Sequence, residues 1–303
     1  KLFKIHKEML NLSKLVAYTQ EQRVPLIHEV LLKAKTSNML SWQPDIKTSA
    51  KLNLLNTNVS FGDGLACGFD DKSTQEVSQR TLETGVIKVE MKWCAREMAK
   101  YWMQHEIRIN ANEDVLPFEE DFVNGIVADV NAKVEKAIWQ GDKSSEDVNL
   151  NKFNGFLKIL SAETTSTATV DPAKVYDSVM AVYSAIPQKA FDRGDVVVFI
   201  GEDLYRKYIM ELVAKNLYHY APGEENYIPG TTTQIVPVGG LNGTNKIVAG
   251  SLRNMFYGFD EQGADNDFKF WYSADNDDYR LRIVFNAGVQ VAYPDEIVVG
   301  ATA

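Results

Sequence analysis

The feature that most restricts this chain is an apolar residue at every fourth position: Phe118, Phe122, Ile126, Val130, Val134 and Ile138, with Val123 and Val127 beside them. That spacing lays one stripe along an α-helix and predicts a helix over 118–139. Pro117 stands just at its start, where a missing N–H costs nothing. Glu119, Glu120 and Asp121 fill the first turn, where the helix dipole favours acids. Lys133 and Lys136 lie toward the far end, and Gly141 is a natural stop. Such a helix runs about 30 Å at 1.5 Å per residue. The chain has 303 residues, 45% of them hydrophobic, enough for a real core in one large domain or two ordinary ones.

Before that helix the pattern is looser. Leu10, Leu12, Leu15 and Val16, then Leu26, Ile27, Val30 and Leu31, recur at loose helical spacing broken by Pro25. Residues 38–58, with Trp42 and Pro44, are polar and irregular and predict an extended arm. Val59, Phe61 and Leu65 sit among Gly62, Gly64 and Gly68, a turn signal. A polar tip, Asp70 to Glu76, precedes an alternating run from Ile87 to Met91 that predicts a strand. Two strands around a polar tip make a projecting hairpin over 56–93. A hairpin alone is marginally stable in water, so a long one needs something to lie on.

After the helix, a Ser/Thr-rich link at 161–169 marks a boundary near Asp171. Asp171-Pro172 predicts an N-cap and first-turn proline, and Val175, Val179, Val182, Tyr183 and Ile186 continue as a helical face. Val196 to Ile200 predicts a strand buried on both faces. A helix from Asp203 to Tyr218, a loop from Tyr220 to Thr232 and short strands at 234–238 and 246–249 complete an α/β unit. The last stretch predicts strands at 255–259, 268–273, 280–285 and 289–293, separated by turn clusters that include Asn286 to Gly288. The whole is an α+β chain ending in an antiparallel sheet.

Chemistry is absent from the pattern. The histidines, His6, His28, His105 and His219, lie far apart, each without a nearby His or Cys, so no pair has zinc-ligand spacing. No nucleophile elbow or phosphate loop exists, and Gly239 to Gly243 reads as a turn. Asp265/Asp267 and Asp275/Asp277/Asp278 lack an EF-hand register and read as solvated turns. Two cysteines, Cys67 and Cys94, could pair, but so sparse a usage reads as buried free thiols of a reducing compartment. No run of ~18 apolar residues spans a membrane. The net charge of −9 argues against phosphate gripping as the main task. Residues 1–50 hold eight basic against four acidic side chains, so a +4 arm joins a body of −13. A basic arm suits docking on an acidic neighbour, and it equally suits an ordinary solvated helix.

The joint order resembles the Hong Kong 97-like major capsid fold of tailed-phage shells and encapsulins. Residues 59–69 and 78–97 resemble its extension loop, and 118–160 resemble its spine helix with the following Ala137, Trp139, Gly141, Asp142, Gly155, Phe156 and Leu157. Residues 195–209 resemble the axial strand and helix; 250–260 and 280–299 resemble the closing peripheral strands. The resemblance implies an N-terminal arm at 1–55, an extension-loop hairpin at 56–93, a peripheral domain from 94–170 and 252–303, and an axial domain at 171–251. It implies a non-enzymatic protein that self-assembles into hexamers and pentamers around double-stranded DNA, without cofactor or metal. Expected partners are other copies, a scaffold or maturation protease, portal and decoration proteins, and DNA held non-specifically. Expected subunit-interface residues are Trp42, Lys72, Arg80, Glu83, Glu120 and Tyr227. Cleavage before Lys1 is also expected of such a chain. An encapsulin-type nanocompartment shares the fold and is the nearest alternative. A soluble α+β enzyme centred on 171–251 is the alternative from another class.

Overall fold

The long helix forms where its stripe predicts. In the computed structural model, which describes residues 22–61, 72–94, 97, 100, 101, 118–217, 226–260 and 268–302, it is α3, Phe118–Gln140. Val123, Val127, Val130, Val134, Ile138 and Trp139 are buried along it. Gly141 closes it, donating its N–H to Ala137 O at 2.9 Å. Two arm helices precede it, α1 (Arg23–Leu32) and α2 (Lys35–Met39). Leu26, Val30 and Leu31 bury into the same core as the valines of α3.

One five-stranded sheet is built on β11 (Asp278–Val291). Along one side of it runs β4 (Gly85–Cys94), antiparallel from Asp278 to Ala287. Along the other lie β10 (Lys269–Ser273) and then β9 (Met255–Phe259), with β1 (Ser41–Gln43) parallel beyond β9. The turn expected at Asn286 to Gly288 does not exist; the strands expected at 280–285 and 289–293 are one. Gly288 is there for space. A Cβ on it would fall inside the Glu83 carbonyl oxygen and against Thr84 Cα, where the backbone crosses the strand. Gly288→Ala is expected to cost about 1–3 kcal/mol as overpacking. An unchanged denaturant midpoint would refute that crossing.

A second sheet has the order β5-β12-β8-β6-β7: Ser166–Thr169, Val298–Ala301, Ile247–Ser251, Val196–Gly201 and Gln234–Val238. The apolar run of β6 is buried on both faces, as expected, and its alternation divides two cores. Val197 and Phe199 pack with α3, whereas Val198 and Ile200 pack with Val179, Val182, Leu204 and Tyr208. Those four belong to α5 (Val175–Ser184) and α7 (Glu202–Ala214). Between α3 and β5 lies α4 (Phe156–Ser161), and between α5 and β6 lies α6 (Gln188–Arg193).

Three expected boundaries need correction. The segments 94–170 and 252–303 share one core through α3 and the β11 sheet, but their ends β5 and β12 join the sheet of the 171–251 unit, where β12 pairs antiparallel with β8. Asp171-Pro172 does not start a helix. Asp171 instead caps a turn, accepting the Ala173 N–H at 2.9 Å. The N-terminal Val175 and Tyr176 N–H groups of α5 are satisfied by the Glu211 carboxylate, at 2.7 and 3.1 Å. The hairpin is also shifted. Its strands are β2 (Ser49–Asn58) and β3 (Thr74–Glu83), so residues 49–55, assigned to the arm, are hairpin. The alternating run at 87–91 belongs to β4 and leaves the hairpin for the sheet, because one face of β4 has α3 to pack on.

Candidate assembly surface

The hairpin is anchored at its base. Leu52, Leu54 and Leu82 are buried in a small separate core with Ile46 and Ala292. Gln290 Nε2 donates to Thr81 O at 2.7 Å, Asn286 Nδ2 to Lys47 O at 2.9 Å, and the Tyr293 hydroxyl to Leu55 O at 3.1 Å. Two ion pairs add to this grip, Arg80 with Glu163 at 2.8 Å and Lys143 with Glu83 at 2.6 Å. Both are solvent-exposed and contribute little each. The Arg80 hydrogen bond holds the Glu163 carboxyl below its ordinary value.

Beyond that base the ribbon stands free. β2 and β3 pair with each other and with no other strand among the described residues. Leu55 lies directly across from Val77 on one face, and they are 53% and 72% exposed. Val59 and Phe61 continue the exposed apolar character outward. Leu55 and Val77 thus form a small exposed apolar pair on two solvated strands.

The described residues expected at an interface lie on several different elements. Lys72 is exposed just before β3. Arg80 and Glu83 spend their charge within the chain. Trp42 is part-exposed on β1, with its indole N–H on Ser37 O at 2.8 Å and its ring edge-on to Phe259. Tyr227 is part-exposed beside Gln234, at the rim of a shallow depression shared with Tyr183. The Glu120 side chain lies outside the described residues. Leu55 and Val77, the most suggestive pair, were not predicted. The signal was Leu55, which breaks the alternation of Ala50, Leu52 and Leu54 and so falls on the opposite face.

The arm is fixed by a polar junction. Glu135, buried on α3, accepts the Thr36 N–H at 2.9 Å and the Thr36 hydroxyl. That hydroxyl oxygen accepts the Trp139 indole N–H at 2.9 Å. Lys35 donates to Pro237 O at 2.6 Å, tying the arm to the second sheet. A matching clasp joins the cores elsewhere: Arg193 makes a bidentate pair with buried Glu296 and stacks over Tyr293 at 3.9 Å.

Among the described residues no three His, Cys, Asp or Glu side chains gather as a metal site. His6, His105, His219 and Cys67, and the His28 side chain, lie outside the described residues, as do Asp265 and Asp267. Asp275, Asp277 and Asp278 form the tight turn into β11. Cys94 is exposed, not buried as expected, because it ends β4 on the face turned from α3. No described helix is long and apolar enough to cross a membrane.

No family model matches this chain, and no curated protein sequence matches it. Solved structures match its fold over nearly its whole length. A chain of the satellite phage P4 procapsid shares 12% identity and a TM-score of 0.58, over 92% of this chain and 90% of that one. The capsid of a native GTA particle gives 13% and 0.57, over 91% and 90%. A virus-like particle from Pyrococcus furiosus gives 13% and 0.52, over 92% and 98%. The class is therefore an α+β capsid fold. It is the Hong Kong 97-like architecture that the sequence resembles.

Proposed function

We propose that this chain is a major capsid protein, the repeating subunit of an icosahedral phage shell. The observation that carries this is the free ribbon with Leu55 and Val77 exposed on it, in a chain of capsid fold. A monomer gains nothing from such a ribbon. A shell subunit gains contact area that a compact body lacks, because neighbours bury each other's arms. The role is structural: copies of the chain are its main partners, as hexamers and pentamers, and the virion capsid is its place, assembled in a bacterial host. Residues 171–251, with the two strands that join their sheet, are the axial domain in this reading, and the β11 sheet with α3 is the peripheral one. Scaffold, maturation protease, portal and decoration proteins are the further partners it implies. The net charge of −9 fits a wall facing packaged double-stranded DNA, since an acidic surface does not trap the genome by counterion release.

Negative-stain microscopy with light scattering tests this. Rings, tubes or closed shells are expected from the purified chain, with DNA inside particles taken from a host. Particles filled with an enzyme cargo would move the assignment to a nanocompartment shell. A chain that stays monomeric with its co-expressed phage partners would remove the shell role.

A further inference from the structure

We propose that Thr36 and Glu135 form a proton-linked latch that docks the N-terminal arm on α3 more tightly as the pH falls. It concerns the subunit itself and does not depend on the shell assignment.

The geometry comes first. Glu135 is 7% exposed, and both its carboxyl oxygens are taken by one arm residue, Thr36. Ala34, Thr36, Ser37 and Leu40 are buried around this contact. Undocking the arm would therefore remove both hydrogen bonds and uncover the carboxyl together. No cation forms an ion pair with Glu135 among the described residues. Lys35 is the nearby candidate, but its ammonium donates to Pro237 O at 2.6 Å instead. From the sheet side the ionisable group that senses Glu135 is Tyr257, whose buried hydroxyl has no hydrogen-bond partner among the described residues. From the second sheet's side the neighbour is Gly240, packed on the Glu135 carbonyl, which carries no charge.

A carboxylate withdrawn from water without a cation prefers its neutral form. Burial accordingly raises the Glu135 pKa, and the Thr36 hydrogen bonds, the Trp139 indole N–H and the charge of Lys35 offset this only in part. In the undocked state the exposed carboxyl returns to its ordinary value. The docked state thus holds the proton more tightly. The sign follows: the gain in docking is full below the ordinary glutamate pKa and is lost as pH rises through the docked value. One proton limits the change to about tenfold per pH unit.

Hydrogen exchange of the amides at 34–40 in the full chain tests this, corrected for intrinsic exchange at each pH. Wild type is expected to open more as pH rises, with a slope approaching tenfold per unit within that window, and Glu135→Gln is expected to be flat. Equal slopes in the two chains, a flat wild type, or opening that increases on acidification would overturn the latch. If Glu135→Gln does not fold, Thr36→Val serves. It keeps the buried acid but removes a hydrogen bond that favours the charged form. Opening should be greater overall with the slope persisting to higher pH, and a flat Thr36→Val would equally overturn it.

Discussion

Trp139→Ala is expected to destabilise the chain by about 3–5 kcal/mol, the range for deleting a large buried aromatic. Trp139 is fully buried and sits where three parts of the molecule meet. Its ring packs on Phe156 of α4 at 5.4 Å between centroids and on Phe199 of β6 at 5.0 Å. Its N–H holds the Thr36 hydroxyl of the arm. Gly240 packs so closely on its ring that a Cβ there has no room. Backbone this tightly apposed cannot collapse into the space left by the indole, so the cavity cost adds to the lost transfer energy. A whole domain is stable by only about 5–15 kcal/mol, so this one change removes a large share. Trp139→Phe separates the contributions: it keeps most of the ring contact and leaves the hydrogen bond unmade, for about 1–3 kcal/mol. Urea titration followed by far-ultraviolet circular dichroism reads both. A Trp139→Ala loss below about 1 kcal/mol would mean that the three parts do not depend on this junction.

Elements held by their own periodicity were legible in the sequence. α3 carries a stripe of one spacing over its whole length, and β6 is apolar at nearly every position because each face meets a separate core. Elements held by distant partners were not. β2 reads as Ser-Ala-Lys-Leu-Asn-Leu-Leu-Asn-Thr-Asn; it alternates only from Ala50 to Leu54, and the residues beyond are exposed and, Leu55 apart, polar, so the strand's length is not marked. Asn286 to Gly288 has turn composition, yet each end of it serves the hairpin base: Asn286 binds Lys47 O, and Gly288 leaves room for Glu83 and Thr84. β12 pairs with β8 about fifty residues back in the chain, a choice no local pattern announces. Two of the expected interface residues, Arg80 and Glu83, show how little charge alone says about a partner. A charged residue on a projecting strand looks partner-facing until Glu163 or Lys143 is folded beside it. Composition marks a side chain as polar; only the fold says whether its partner lies in the same copy.

Val77→Asp is expected to abolish particle formation while shifting the subunit's own stability by no more than about 1 kcal/mol. The two effects separate because of where Val77 stands. It is 72% exposed, on a strand that pairs only with β2 among the described residues, so the monomer loses little when it becomes polar. In the proposed shell the same position is covered by another copy, and an unpaired carboxylate stripped of water there costs several kcal/mol. The loss recurs at every subunit contact of that kind, which turns a modest local penalty into failure of a closed assembly. Only one of the facing pair is changed, since aspartates at both Leu55 and Val77 would repel across the ribbon and unsettle the hairpin itself. Val77→Thr is the control. It keeps the β-branched shape and strand preference without a charge, and should still form particles in reduced yield. Sedimentation and microscopy read assembly, and urea titration reads the subunit. Wild-type yields of particles from Val77→Asp would show that the ribbon's apolar face is not what neighbouring copies cover. Loss of both particles and subunit stability would show instead that Val77 serves the hairpin's own folding.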